Sequence, residues 1–200
     1  MDFKKVFPDQ YQPKPTPSVI DVPTTSFIAV DGVGDPNTSE DYKAAIEVLY
    51  ALSYAIKMGN KAVLEYVVPP LEGFWTTVDD APLEDKSRLV WTSAIRQPDF
   101  VDDAVFAQAV AVVTKKKPQL DTSRARLETV EEGLCVQALH VGPYDSEPET
   151  IAKMDRFAAE NGYVIDMGGG RRHHEIYLSD PRKTAVDKLR TIIRHPVRVV

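Results

Sequence analysis

Leu134-Cys135-Val136-Gln137-Ala138-Leu139-His140 runs directly into Val141-Gly142-Pro143-Tyr144-Asp145, and the chain has already used the same pattern once. The earlier copy is Ser26-Phe27-Ile28-Ala29-Val30-Asp31 followed by Gly32-Val33-Gly34-Asp35-Pro36. Each is a short β-favouring run closed by a glycine break, the signature of a strand that ends in a turn. A helix signal follows each break. Thr38 with Asp41, then Ser146 with Glu149, have capping-box spacing, and Pro148 suits a first helical turn. Tyr42, Ala45, Ile46, Leu49, Ser53 and Ile56 in the first copy, and Ile151, Met154, Phe157 and Ala158 in the second, recur at helical spacing until Gly59 and Gly162. Two candidate strands come next in each copy, at 62–68 and 88–96, then at 163–167 and 173–178. The glycines Gly34 and Gly142 stand 108 positions apart (142 minus 34). The reading is an α+β fold, a tandem repeat of strand-helix-strand-strand units forming one pseudo-two-fold antiparallel sheet domain, with repeats at about 26–117 and 127–200.

Outward from this core, residues 1–25 are rich in proline and predict an extended N-terminal arm. An amphipathic helix is expected over about 99–117, with Phe100, Val101, Ala104, Val105, Ala109 and Val112 inward and Lys115, Lys116 and Lys117 complementing its C-terminal dipole. Asp79, Asp80, Glu84 and Asp85 predict a solvated loop, and 118–126 the boundary between the copies. A last helix is expected from Thr184, with Asp187 in its first turn and Leu189, Ile192 and Ile193 inward, until Pro196.

Composition narrows the functional classes. The chain has 200 residues, 43% hydrophobic and 27% charged, enough for a sizeable core and too apolar for disorder. No apolar run approaches the roughly 20 residues that cross a bilayer. The opening Met1-Asp2-Phe3-Lys4-Lys5 lacks a secretory core, and one cysteine, Cys135, offers no internal disulfide, so a cytoplasmic location is expected. A net charge of −6 with small, dispersed basic groups argues against direct nucleic-acid binding.

The chemistry concentrates in Arg171-Arg172-His173-His174-Glu175-Ile176-Tyr177-Leu178-Ser179-Asp180-Pro181, a predicted strand after the turn Gly168-Gly169-Gly170. Strand alternation puts His173, Glu175 and Tyr177 on one face and His174, Ile176 and Leu178 on the other. With Ile28, Val30, Val136, Ala138, Ile176 and Leu178 assigned beneath the helices, the opposite face collects Phe27, Tyr66, Trp91, Gln137, Glu175 and Tyr177, with Phe74 and Trp75 arriving from a loop. An aromatic wall around a carboxylate suits flat, amphipathic, often cationic molecules. The plain alternative is a half-exposed strand whose Glu175 pairs with Arg171 or Arg172, and an aromatic set that is simply core. His173-His174-Glu175 is not HExxH, because neighbouring strand side chains diverge, so no metal is expected. The glycine run precedes a strand and cannot cradle a phosphate, Cys135 lacks a basic partner, and no cofactor is expected. His140, at a strand end beside Gly142-Pro143, is either a second acid or base or a tie for the loop.

Four segments, Leu71-Glu72-Gly73-Phe74-Trp75, Glu132-Gly133-Leu134-Cys135-Val136-Gln137, His140 through Pro148 and His173 through Pro181, together resemble the stand-alone branch of the GyrI-like small-molecule-binding family. The resemblance spans nearly the whole chain. It implies a tandem-repeat fold around a central groove for hydrophobic, often cationic drugs, with the family's central glutamate at Glu175. Relatives serve as effector domains of transcription regulators or restrain DNA gyrase, and some stand-alone ones hydrolyse the cyclopropane of DNA-alkylating compounds. The resemblance therefore leaves three functions open: multidrug binding and sequestration, a detoxifying hydrolase, and docking on gyrase. Opening a cyclopropane needs a base for water and a stabiliser of developing charge. Glu175, its pKa raised by burial, is the expected base, with Tyr66, Tyr144 or Tyr177 as hydrogen-bond donor and Trp75 stacked on the substrate.

Overall fold

The computed structural model describes every residue but Glu84, and Asp80 by its backbone alone, so the expected acidic loop lies partly outside the described residues. Two helical turns, α1 (Phe3–Val6) and α2 (Pro8–Tyr11), precede strands β1 (Ser18–Val22) and β2 (Thr25–Val33). Helix α3 (Glu40–Gly59), strands β3 (Leu71–Thr77) and β4 (Leu89–Arg96), helix α4 (Asp103–Lys116) and strands β5 (Arg126–Val130) and β6 (Gly133–Val141) follow. The chain then forms α5 (Glu147–Glu160), β7 (Tyr163–Ile165), β8 (His173–Tyr177) and β9 (Arg190–Val199). The fold is α+β, and its paired strands are antiparallel. Two compact units result: Met1–Asp2 with Thr25–Val130, and Phe3–Thr24 with Glu131–Val200. No helix among the described residues is long and apolar enough to cross a membrane.

In the first unit the strands lie in the order β3-β4-β2-β5. Helix α3 is capped by Ser39, one residue later than the expected Thr38, through a 3.1 Å bond from the Tyr42 N–H to the Ser39 hydroxyl. Register places Gly32 opposite Trp91, Val30 opposite Ser93 and Ile28 opposite Ile95 on the α3 side. There a Cβ on Gly32 would come within 2.1 Å of the Trp91 ring, so only glycine admits the indole. Tyr42 of α3 meets Trp91 edge-on at 4.9 Å and tilts against Trp75 at 6.1 Å. Residues 62–68 are not a strand: the second strand of this unit is 71–77, where the sequence suggested a break followed by a loop. Helix α4 starts at Asp103, behind an Asp102 cap, and buries Ala109 and Val113, while Val112 is exposed. The expected boundary runs into β5, a strand the sequence reading missed.

In the second unit the order is β1-β6-β9-β8, with β7 also paired to β9. Val136, Ala138, Met154, Ala158, Ile193 and Val197 form the core beneath α5. Two expectations fail here. The last helix is instead β9: residues 191–197 are buried on both faces, so the run Leu189, Ile192, Ile193 imitates helical spacing while Thr191, Ile192, Ile193 and Val197 supply β-branched strand residues. The extended arm is instead built into this unit, with Phe3 and Tyr11 buried and β1 paired to β6. The glycine turn is as expected: Gly168, Gly169 and Gly170 all have positive φ, and Gly168 and Arg171 exchange two backbone bonds.

Candidate functional site

The register of β8 on β9 fixes which side its polar residues face. Glu175 lies opposite Ile193, which packs beneath α5, so Glu175 and, by alternation, His173 and Tyr177 point to the α5 side. Ile176 and Leu178 take the other side, the reverse of the expected assignment. Polar and apolar residues alternate along β8, but alternation alone does not say which face the helix covers.

Glu175 is held by three groups. His173 Nε2 is 2.8 Å from one carboxylate oxygen, and the Tyr177 hydroxyl donates to the other at 2.6 Å. The third is the carboxyl of Glu147, at the first turn of α5, and a hydrogen bond between two carboxyls needs a proton on one of them. The Glu175 side chain is only 13% exposed. Burial alone would raise its pKa. The hydrogen bond and charge of His173, with the bonds from Tyr177 and Glu147, outweigh burial and hold the carboxyl below its ordinary range. The expected upward shift is therefore reversed, and Glu175 is ionised at neutral pH.

Behind this carboxylate stands a second imidazole. His173 Nδ1 lies 2.7 Å from His195 Nε2, and the rings meet at 4.9 Å, tilted by 67°. His195 Nδ1 faces the Asp155 carboxylate of α5 at 3.7 Å, an ion-pair distance too long for a hydrogen bond. Burial, the largest effect, and the charge of His173 keep His195 below the usual histidine range against the pull of Asp155 and Glu175. Tyr144 leads into α5 and meets Tyr177 edge-on at 6.0 Å. Burial first, then the neighbouring carboxyls of Glu147, Glu175 and Asp180, push its hydroxyl up to about 12, so it keeps its proton and can donate.

Of the residues singled out from sequence, Glu175, Tyr144 and Tyr177 come together. His140 is a tie: its ring nitrogens meet the Thr150 hydroxyl at 2.8 Å and the Pro143 carbonyl at 3.0 Å, pinning the turn before α5. Gln137 accepts from Arg194 at 3.0 Å and donates to the Asp9 carbonyl at 2.7 Å, bracing the N-terminal segment. Phe27, Tyr66, Phe74, Trp75 and Trp91 belong to the first unit and are all buried there. Phe27 and Phe74 pack edge-on at 5.6 Å with Ala29 and Ala94. Trp91 and Trp75 lie on the α3 side against Tyr42, where the sequence reading had put Trp91 on the opposite face, and Tyr66 sits near Phe100. His195, Asp155 and Glu147 were missed. Reading 190–199 as a strand puts Thr191, Ile193, His195 and Val197 on one face and would have found the histidine.

Glu147, His173 and Glu175 each bring a ligand atom within 4.8 Å of the others, the spacing of a small cation site. The 2.8 Å contact from His173 to Glu175 is itself a hydrogen bond, so a metal would have to displace that proton first. On the opposite side, Glu132 joins His174 and Arg194, each at 2.8 Å. This buried trio of charged and polar groups braces the sheet.

The profile of the GyrI-like small molecule binding domain matches residues 15–198. Among solved structures, an uncharacterized conserved protein from Listeria innocua is 47% identical over 99% of this chain and 100% of its own, with a TM-score of 0.95. A hydrolase from Listeria innocua is 46% identical over 99% of this chain and 100% of its own, with a TM-score of 0.91. The C-terminal domain of EcmrR, 14% identical over 92% of this chain and 98% of its own at a TM-score of 0.57, shares the fold. A search of curated proteins gave no match.

Proposed function

Because the chain belongs to the GyrI-like small-molecule-binding family, we propose that it is a small-molecule hydrolase whose reaction centre is the Glu175 cluster. The observation that carries this reading is the wiring of Glu175. A carboxylate kept only to attract cations gains nothing from a histidine pair behind it, whereas a base that must accept and release a proton does. The likeness to a Listeria innocua hydrolase across nearly the whole chain supports it. The substrate class is an electrophile with a strained, conjugated ring, the cyclopropane of an alkylating compound.

In this mechanism the ionised Glu175 orients a water and takes its proton as the water oxygen bonds to a ring carbon. The opposing carbon–carbon bond breaks and its electron pair moves into the conjugated carbonyl, giving an enolate oxygen. Tyr144, which keeps its proton at neutral pH, donates a hydrogen bond to that oxygen. Tyr177 fixes the second oxygen of Glu175 and so aims the base.

Incubation with a cyclopropane-bearing alkylator in water enriched in oxygen-18, followed by mass spectrometry, tests this. Many product molecules per protein, each with one heavy oxygen, are expected. Stoichiometric complex without product would overturn the hydrolase and favour the second reading, sequestration of cationic aromatic compounds, which the ionised and nearly buried Glu175 also suits.

A further inference from the structure

We propose that His173 and His195 form a proton relay connecting Glu175 to solvent at Asp155. The inference rests on the hydrolytic reading for its purpose, but its geometry stands independently. Three successive contacts, 2.8 Å from Glu175 to His173, 2.7 Å from His173 to His195 and 3.7 Å from His195 to Asp155, lead from a carboxylate 13% exposed to one 49% exposed. Both imidazoles between them are buried.

Two ring nitrogens 2.7 Å apart share one proton. With His173 holding N–H groups on both nitrogens, Nε2 donates to Glu175 and Nδ1 to His195 Nε2, which leaves the His195 proton on Nδ1. That atom is buried without a hydrogen-bond partner, and the charge it faces across 3.7 Å is Asp155. A buried N–H aimed at an exposed carboxylate, closable by one water or a small side-chain movement, is the exit of a relay. The groups facing the pair are Glu175 from β8 and Asp155 from α5, with Glu147 of α5 beside Glu175.

The hop between the rings breaks one N–H bond and makes another, and the exit hop breaks an N–H bond and makes an O–H bond on Asp155 or water. When Glu175 takes the water proton, the Glu175–His173 pair carries one proton in excess. His173 releases its Nδ1 proton to His195 Nε2, and His195 releases its Nδ1 proton to Asp155 and solvent. Glu175, now neutral, gives its proton to the enolate of the product. One proton returning along the same nitrogens restores the starting state, so the substrate gains the hydroxyl and hydrogen of one water. His173 and His195 are positioning and relay residues, since neither meets the substrate.

Nitrogen-15 NMR of the two rings at neutral pH decides the relay independently of any substrate. Protons on both nitrogens of His173 and on Nδ1 of His195 are expected. A bare Nδ1 with the proton on Nε2 of His195 would overturn it, whether or not the protein turns over substrate. Conversely, the expected protonation pattern in a protein that forms no product would sink the hydrolytic reading while leaving the path in place. Kinetics give the second arm. Asp155→Asn, at the surface, and His195→Gln, which keeps a donor and an acceptor but cannot pass a proton, are expected to lower kcat by about 10-fold and about 100-fold with KM unchanged. Added imidazole should restore part of the His195→Gln loss. Wild-type kcat in both variants would contradict the proposal.

Discussion

Glu132 and Glu175 are both nearly buried carboxyls held below their ordinary range, and burial is the largest influence on each, opposed by the hydrogen bonds and charges of their partners. For Glu132 the partners His174 and Arg194 bring the pKa down to about 2 from 4.5. A folded-state pKa below the unfolded one means stability present above pH 4.5 and lost as pH falls towards 2, worth roughly 3 kcal/mol. Urea unfolding at pH 7 and pH 3 should show the wild type losing more stability on acidification than Glu132→Gln, which lacks the ionised form at both pH values. Equal losses would contradict the assignment. Strand alternation puts Glu175 and Tyr177 two apart on one face, and the 2.6 Å bond between them agrees. The sequence reading misjudged the sign of the Glu175 shift because the opposing imidazole, His173, acts through a contact that alternation cannot measure. His195 escaped for a larger reason, the misassignment of its strand.

That misassignment belongs to the scale of elements. A strand covered on both faces has no polar period, so apolar residues at 189, 192 and 193 read equally well as a helix, and only the β-branched content spoke for β9. Helix α5 and strand β6 were legible, by contrast, because Pro148, Gly142 and Gly162 mark their ends and one face of the helix is wet. In the first unit, β3 was missed because Glu72 and Gly73 interrupt the pattern, though both are buried in the strand. Gly32 shows an element-level constraint. In Gly32→Ala the new methyl would overlap a wholly buried indole, and thermal unfolding should show a loss of roughly 1–3 kcal/mol. At about 2–4 °C per kcal/mol for this length, that is a clear drop in Tm. An unchanged Tm would mean the Trp91 ring does not lie over Gly32.

For the whole molecule, the two glycine breaks marked a strand running into a helix in each unit, β2 into α3 and β6 into α5, whereas the role of the N-terminal segment was not readable. Its prolines suggested an arm, but besides the buried Phe3 and Tyr11 it is held at its backbone: the Leu139 N–H donates to the Lys14 carbonyl, and the Gln137 and Arg194 side chains to the carbonyls of Asp9 and Gln10. Such contacts leave no pattern in the sequence. Deleting residues 1–24 strips β1 from β6 and opens that edge. Size-exclusion chromatography should then show self-association, and a monodisperse chain of unchanged stability would show the segment to be dispensable. The proposed reaction depends on the carboxylate of Glu175. That dependence is tested most directly by measuring, for the wild type and Glu175→Gln side by side, both the affinity for a cyclopropane-bearing alkylator and the rate of its hydrolysis. Retained binding with kcat reduced by about 100-fold or more is expected; hydrolysis at the wild-type rate in Glu175→Gln would rule out Glu175 as the base.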